Sequence, residues 1–101
     1  MNEINFYNWL QQNNVPKKNC CDMVSRIKKI EKALISCDID EEYKKNKCRD
    51  LLNCFYNCGR NENMANRLKG DLPIGKYYLA AYKYAVKKYI KFRDSFKLNN
   101  P

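Results

Sequence analysis

Residues 77–92 read YYLAAYKYAVKKYIKF, sixteen positions that hold five Tyr, four Lys and a Phe. The fold turns on whether this ladder of rings stacks on a ligand or fills a core. Advancing about 100° per residue along an α-helix puts Tyr78, Tyr82, Ala85, Tyr89, Phe92 and Phe96 at spacings of 4, 3, 4, 3, 4. They fall within one arc of about 80°, which is the signature of a packing face. Buried Tyr also needs a partner for its hydroxyl at the core edge. Leu79, Val86 and Ile90 flank that arc and either widen it or form a separate contact. The reverse side carries Lys76, Lys83, Lys87 and Lys91, with Tyr77, Tyr84 and Lys88 beside them. The ladder therefore reads as scaffold, and its back as the candidate site.

Working outward, the same helical period recurs. Cys20, Met23, Ile27, Ile30 and Leu34 form an apolar stripe on a second helix expected over residues 17–36. Lys17, Lys28 and Lys32 lie on its other side, with Lys18 and Lys29 near them. A first helix over 5–12 presents Phe6, Trp9 and Leu10, and Val15-Pro16 separates it from the second. Asp38-Ile39-Asp40 turns into a third helix with Asp40 as its N-cap and Glu41 and Glu42 in the first turn. That helix breaks near Asn46 and resumes over 48–57, stopping at Cys58-Gly59. A short helix over 62–69 ends at Gly70, GDLPIG is a loop, and Gly75 opens the last helix over 76–97. Residues 98–101 read as a frayed tail. Two-residue alternation is absent throughout, so the expectation is an all-α, compact bundle of four to five helices in one domain, 1–101, with a long C-terminal helix.

The chain has 101 residues and 20 Lys+Arg against 11 Asp+Glu, a formal charge of +9. A field of that sign attracts polyanions, which makes nucleic acid the leading partner class, ahead of an anionic membrane or an acidic protein face. Fourteen Asn and many Lys also fit AT-rich coding, which raises the Lys content without function. No apolar run approaches the ~20 residues of a membrane span, so the expectation is a soluble, cytoplasmic protein with no membrane partner. Six Cys and no His exclude the usual zinc-finger spacings. The thiols read as reduced, small core residues, with no metal and no cofactor expected. A nucleotide-binding glycine loop and a nucleophile-and-base pair at a known spacing are both missing, so the chain does not read as an enzyme. The acidic group Asp38, Asp40, Glu41, Glu42 could hold a hard cation, but helix capping accounts for it.

The opening NFYNWLQQNNVPKKNCCDMVSRIKKIEKAL resembles the start of the N-terminal, SAM-like core-binding domain of phage integrases (tyrosine recombinases). AVKKYIKFRDSF is similar to that domain's last helix. Similar helical modules occur at the N-termini of some restriction-type endonucleases of low-GC bacteria. The resemblance implies a SAM-like bundle that clamps one side of a DNA duplex. It assigns phosphate contacts to Lys17, Lys18, Lys28, Lys29, Lys83 and Lys87, and the helix phase adds Lys76, Lys91 and Tyr84. The family's catalytic domain, with its Arg, His and Tyr residues, has no counterpart in these 101 residues. The expectation is a non-enzymatic nucleic-acid-binding module of phage or mobile-element type, with DNA favoured. The alternative is a small protein-binding factor, such as an anti-defence, anti-CRISPR-like inhibitor of a nuclease. In that case Tyr77, Tyr84 and an exposed Leu79/Val86/Ile90 strip would make the contact.

Overall fold

The protein, seen here as a computed structural model, is described over residues 1–99, and its side chains as far as Ser95. Six α-helices follow in order: α1 (Glu3–Gln12), α2 (Lys17–Ala33), α3 (Ile39–Asn46), α4 (Arg49–Asn53), α5 (Glu62–Arg67) and α6 (Leu79–Asn99), with a 3₁₀ turn at Tyr56–Gly59. The fold is all-α, as its periodicity predicts. A radius of gyration of 13.2 Å is what a single well-packed domain of ~100 residues has.

Three helices form the centre of the core, and Ile39, Tyr43, Leu51 and Met64 of α3, α4 and α5 extend it. α2 lies against both α1 and α6 because its stripe is wide. Cys20, Met23, Ile27, Ile30 and Leu34 are all buried, and Val24 and Ala33 join them. α1 contributes Phe6 and Leu10, and α6 contributes Leu79, Ala85, Val86, Tyr89 and Phe92. At the centre the rings of Phe6, Tyr89 and Phe92 meet, with centroids 4.9 Å apart for Phe6–Tyr89, 5.5 Å for Phe6–Phe92 and 5.3 Å for Tyr89–Phe92. Trp9 closes the cluster at 5.9 Å from Phe92. Edge-to-face and tilted geometry at these distances is what ring quadrupoles favour.

The Tyr89 hydroxyl finds its partners at the core edge. It donates to Asp40 Oδ1 at 2.6 Å and accepts from the Asn2 amide at 2.8 Å. Arg93 also reaches Asp40, at 2.7 Å. Asp40 is thus not the N-cap of α3, because its carboxylate is drawn inward to α6. The cap is Asp38, whose side chain accepts from the amides of Asp40 (2.9 Å) and Glu41 (3.3 Å).

Most of the remaining boundaries differ from the sequence reading for local reasons. α2 stops at Ala33 because Leu34 is extended and bridges Leu68, while the Ile35 amide donates to the Arg67 carbonyl at 2.8 Å. Lys47 and Cys48 both take left-handed backbone and split α3 from α4, at the break expected near Asn46. Asn57, Cys58 and Gly59 form a left-handed run, so the expected helix over 48–57 ends at Asn53 and a 3₁₀ turn replaces its last turn. α5 ends at Arg67, where Leu68 leaves the helix to make the bridge. α6 starts at Leu79, and residues 98–99 belong to it instead of to a tail. Residues 100 and 101 and the side chain of Phe96 lie outside what the structure describes.

Glu42 and Arg67, distant in sequence, form a two-pronged ion pair at 3.3 and 3.2 Å. The guanidinium also donates to the Ile35 carbonyl at 3.2 Å. This pair ties α5 to α3 over a buried carboxylate. Around it sit thiols whose burial changes their titration. Cys48 is pushed up to about 12 from an ordinary 9.0 by burial, and by Glu42 next. Burial pushes Cys37 to the same value against the pull of Arg67. Burial and the hydrogen bond to Asp40 raise Tyr89 as well.

For all three groups the folded chain holds its protons more tightly than the unfolded chain. Their contribution is complete below the unfolded pKa and is lost as pH rises through the folded one. The urea midpoint, measured in reductant, is therefore expected to hold to about pH 8 and fall between about 9 and 12. A flat midpoint to pH 11 would mean that these groups titrate freely in the fold. Cys21 and Cys58 are exposed, whereas Cys20, Cys48 and Cys54 are buried. A thiol reagent should label the first pair quickly and the buried three at the unfolding rate, as read by mass spectrometry of a time course.

Candidate nucleic-acid interface

The charge of this chain is spread unevenly. From residue 72 to residue 93 there is no acidic side chain, while Lys76, Lys83, Lys87, Lys88, Lys91 and Arg93 fall in that stretch. Six of the eleven acids pair with basic side chains among the described residues. Glu3 pairs with Lys28 at 2.8 Å, Glu41 with Lys44, Asp50 with Lys45 at 3.1 Å, Asp94 with Lys47 at 3.1 Å, Glu42 with Arg67 and Asp40 with Arg93. Among the described residues no ion pair reaches Lys83, Lys87, Lys88 or Lys91.

The phase of α6 explains the separation. Burying Leu79, Ala85, Val86, Tyr89 and Phe92 turns Lys87, Lys91 and Tyr84 outward, with Lys83 at the boundary and half-buried. Steps of four residues place Lys83, Lys87 and Lys91 about 6 Å apart along one side of the helix. Lys88 sits over the ring of Tyr84, 5.7 Å from its centroid, a contact that keeps the ammonium in place without neutralising it.

The other expected contacts divide by their position. Lys17 and Lys18 are exposed at the head of α2. Lys28 points toward α1, where its ammonium lies 2.8 Å from Glu3 in a pair whose two side chains both stay half-exposed. Lys29, about 100° further round α2, lies on the opposite flank. It lines a groove of about 340 Å³ with Asp71, Leu72, Pro73, Ile74, Lys76, Tyr78 and Tyr82. Two expected contacts, Lys29 and Lys76, are thus brought together from positions far apart in sequence.

The aromatic rim of this groove is not visible in the helical wheel. Tyr78 was expected in the core and is 49% exposed, and Tyr82 is only half-buried. The reason is Gly75, whose φ of +77° lets the chain turn so that its amide donates to the Cys58 carbonyl at 2.8 Å. Residues 76–78 then follow as i→i+3 turns before α6 begins. Helical phase does not apply to Tyr77 or Tyr78, which stand outside the helix with ring centroids 5.4 Å apart. Pro73 and Gly75 in the sequence are the signal that could have shown it.

The Leu79/Val86/Ile90 strip is inside the domain. Leu79 and Val86 are buried and Ile90 packs against the core, so the strip offers no exposed contact. Among the described residues no group of three or more metal-ligating side chains is assembled, and no helix is long and apolar enough to cross a membrane. No family model, curated protein or solved structure matches the chain.

Proposed function

We propose that this domain binds nucleic acid without catalysis, through the outer face of α6 and the lysines beside it. One observation carries this reading. The residues from 72 to 93 hold no acid, and no ion pair among the described residues reaches their lysines, which leaves Lys83, Lys87, Lys88 and Lys91 as a row of unpaired charge on one helix. Holding like charges together on a well-packed helix is unfavourable for the fold alone, and a polyanion removes that repulsion by releasing its own counterions. The resemblance to integrase core-binding domains supports the same reading and favours DNA. The rival role, blocking a nuclease by protein contact, called on Tyr77, Tyr84 and the Leu79/Val86/Ile90 strip; the two tyrosines are exposed, but the strip is packed inside.

The test is fluorescence anisotropy with labelled oligonucleotides across salt. Three to six neutralised phosphates give a log–log slope of about −2.7 to −5.4. Affinity should then fall about 40- to 2,000-fold between about 50 and 200 mM salt. Absence of binding at the lower salt would remove the proposal.

A further inference from the structure

The groove between Lys29 and Tyr82 is built differently from the lysine row. A row of ammonium groups on a helix answers phosphates and has no use for rings. Yet Tyr78, 49% exposed, lines a groove flanked by Lys29 and Lys76, and Tyr77, 88% exposed, stands just outside it with its ring centroid 5.4 Å from that of Tyr78. Tyr normally hides much of its ring area on folding. Here two neighbouring rings stay in water while the backbone that carries them is tightly held.

That backbone is fixed from below. The Gly75 amide is bound to the Cys58 carbonyl at 2.8 Å and the Lys76 amide to that of Pro73 at 3.1 Å. A Cβ on Gly75 would meet the Arg60 guanidinium at 2.6 Å, so Arg60 lies directly over this turn. Tyr has only two side-chain torsions, so a ring on a fixed turn is a contact surface that loses little freedom on binding. The groove's volume suits a nucleotide or two and is far too small for a duplex to enter.

Resting on the nucleic-acid reading above, we infer that this groove takes the bases of a single strand. An unpaired base stacks on Tyr78, beside which Tyr77 stands edge-on, and Lys29 and Lys76 hold the flanking phosphates. In a duplex both faces of each base are already stacked, so the rings would have no partner there. Asp71, on the same rim, opposes phosphate density on its side and leaves the two lysines as the path for the backbone. Single-stranded DNA and RNA share the chemistry invoked, and the ribose hydroxyl is what would separate them.

The deciding experiment uses the full chain and four labelled ligands of about 12 nucleotides, within the span one small domain covers. They are oligo-dT, oligo-rU, a strand of abasic deoxyribose phosphates and a duplex. The abasic strand keeps the phosphates and removes the bases. At about 50 mM salt, oligo-dT or oligo-rU is expected to bind about 5- to 150-fold tighter than the abasic strand, the range one stacked base supplies. Tyr78→Ala should abolish that ratio and leave duplex affinity unchanged, whereas Lys87→Gln should weaken all ligands alike. Tyr77→Ala is the companion variant, since a ring so exposed cannot be needed for folding. Equal binding of the abasic and base-bearing strands overturns the stacking site while leaving phosphate binding intact. A fall in duplex affinity for Tyr78→Ala that matches its fall for oligo-dT also overturns it. Failure of every ligand overturns both readings. If oligo-dT and oligo-rU bind equally, the groove reads bases without reading the sugar; a difference names the natural strand.

Discussion

Phe92→Ala is expected to remove about 3–5 kcal/mol of folding stability, the range found when a large buried aromatic is cut to a methyl. Phe92 is 1% exposed and touches rings from two helices: Phe6 and Trp9 on α1, and Tyr89 one turn back on α6. These are also the contacts that seat α1, a ten-residue helix too short to persist alone in water. The space left cannot be refilled cheaply, because Leu10 and Ile27 nearby in the core are themselves fully buried. Against a total of about 5–15 kcal/mol for a domain of this size, such a loss takes the chain near its unfolding threshold. Urea denaturation followed by circular dichroism measures it. The fluorescence of Trp9, the only Trp, should shift to the red before the transition as its ring loses the Phe92 side. A cost under about 1 kcal/mol would mean that α1 is not seated on α6 by this cluster.

The ring cluster was legible in the sequence because it lies inside regular helix. Ala85, Tyr89 and Phe92 are buried where a 3.6-residue period puts them, as are Cys20, Ile27 and Ile30 on α2. What the pattern could not supply is the partner of each polar group in the core edge. Asp40 sits two residues after a suitable cap and three before Tyr43, so capping is the natural assignment. Only the packing of α6 across α3 brings Tyr89 and Arg93 onto its carboxylate. The Glu42–Arg67 pair is hidden for the same reason, since its two members are 25 positions apart.

The candidate site was half legible. The lysines of α6 follow from helix phase, whereas the groove depends on a turn whose φ of +77° at Gly75 no periodicity encodes. The chain also uses left-handed backbone at Ser36, Lys47, Cys48, Asn57 and Cys58, where sequence alone favours other conformations for most of these residues. Lys47 and Cys48 split α3 from α4 at the break the sequence places near Asn46, whereas Asn57 and Cys58 lie past the early end of α4 at Asn53.

Neutralising the outer face of α6 is the change with the largest expected effect on binding. In the triple variant Lys83→Gln, Lys87→Gln, Lys91→Gln, three charges go and helix propensity is nearly unchanged. None of the three is ion-paired among the described residues, so the fold has little to lose. Each phosphate contact contributes a factor of about 8 at 0.1 M salt, and three contribute about 500. Duplex affinity should therefore fall by about that factor, and the salt slope should shrink by about 2.7. The matched control is Lys44→Gln, Lys45→Gln, Arg49→Gln on α3 and α4. It takes the same three charges from the total of +9, but two of its lysines are already paired, with Glu41 and Asp50. If binding follows net charge alone, the two variants weaken equally and no face of the molecule is special. If the row on α6 is the contact, the control loses far less and keeps the steeper slope. The comparison separates a protein that is merely basic from one that binds through the unpaired lysines of α6.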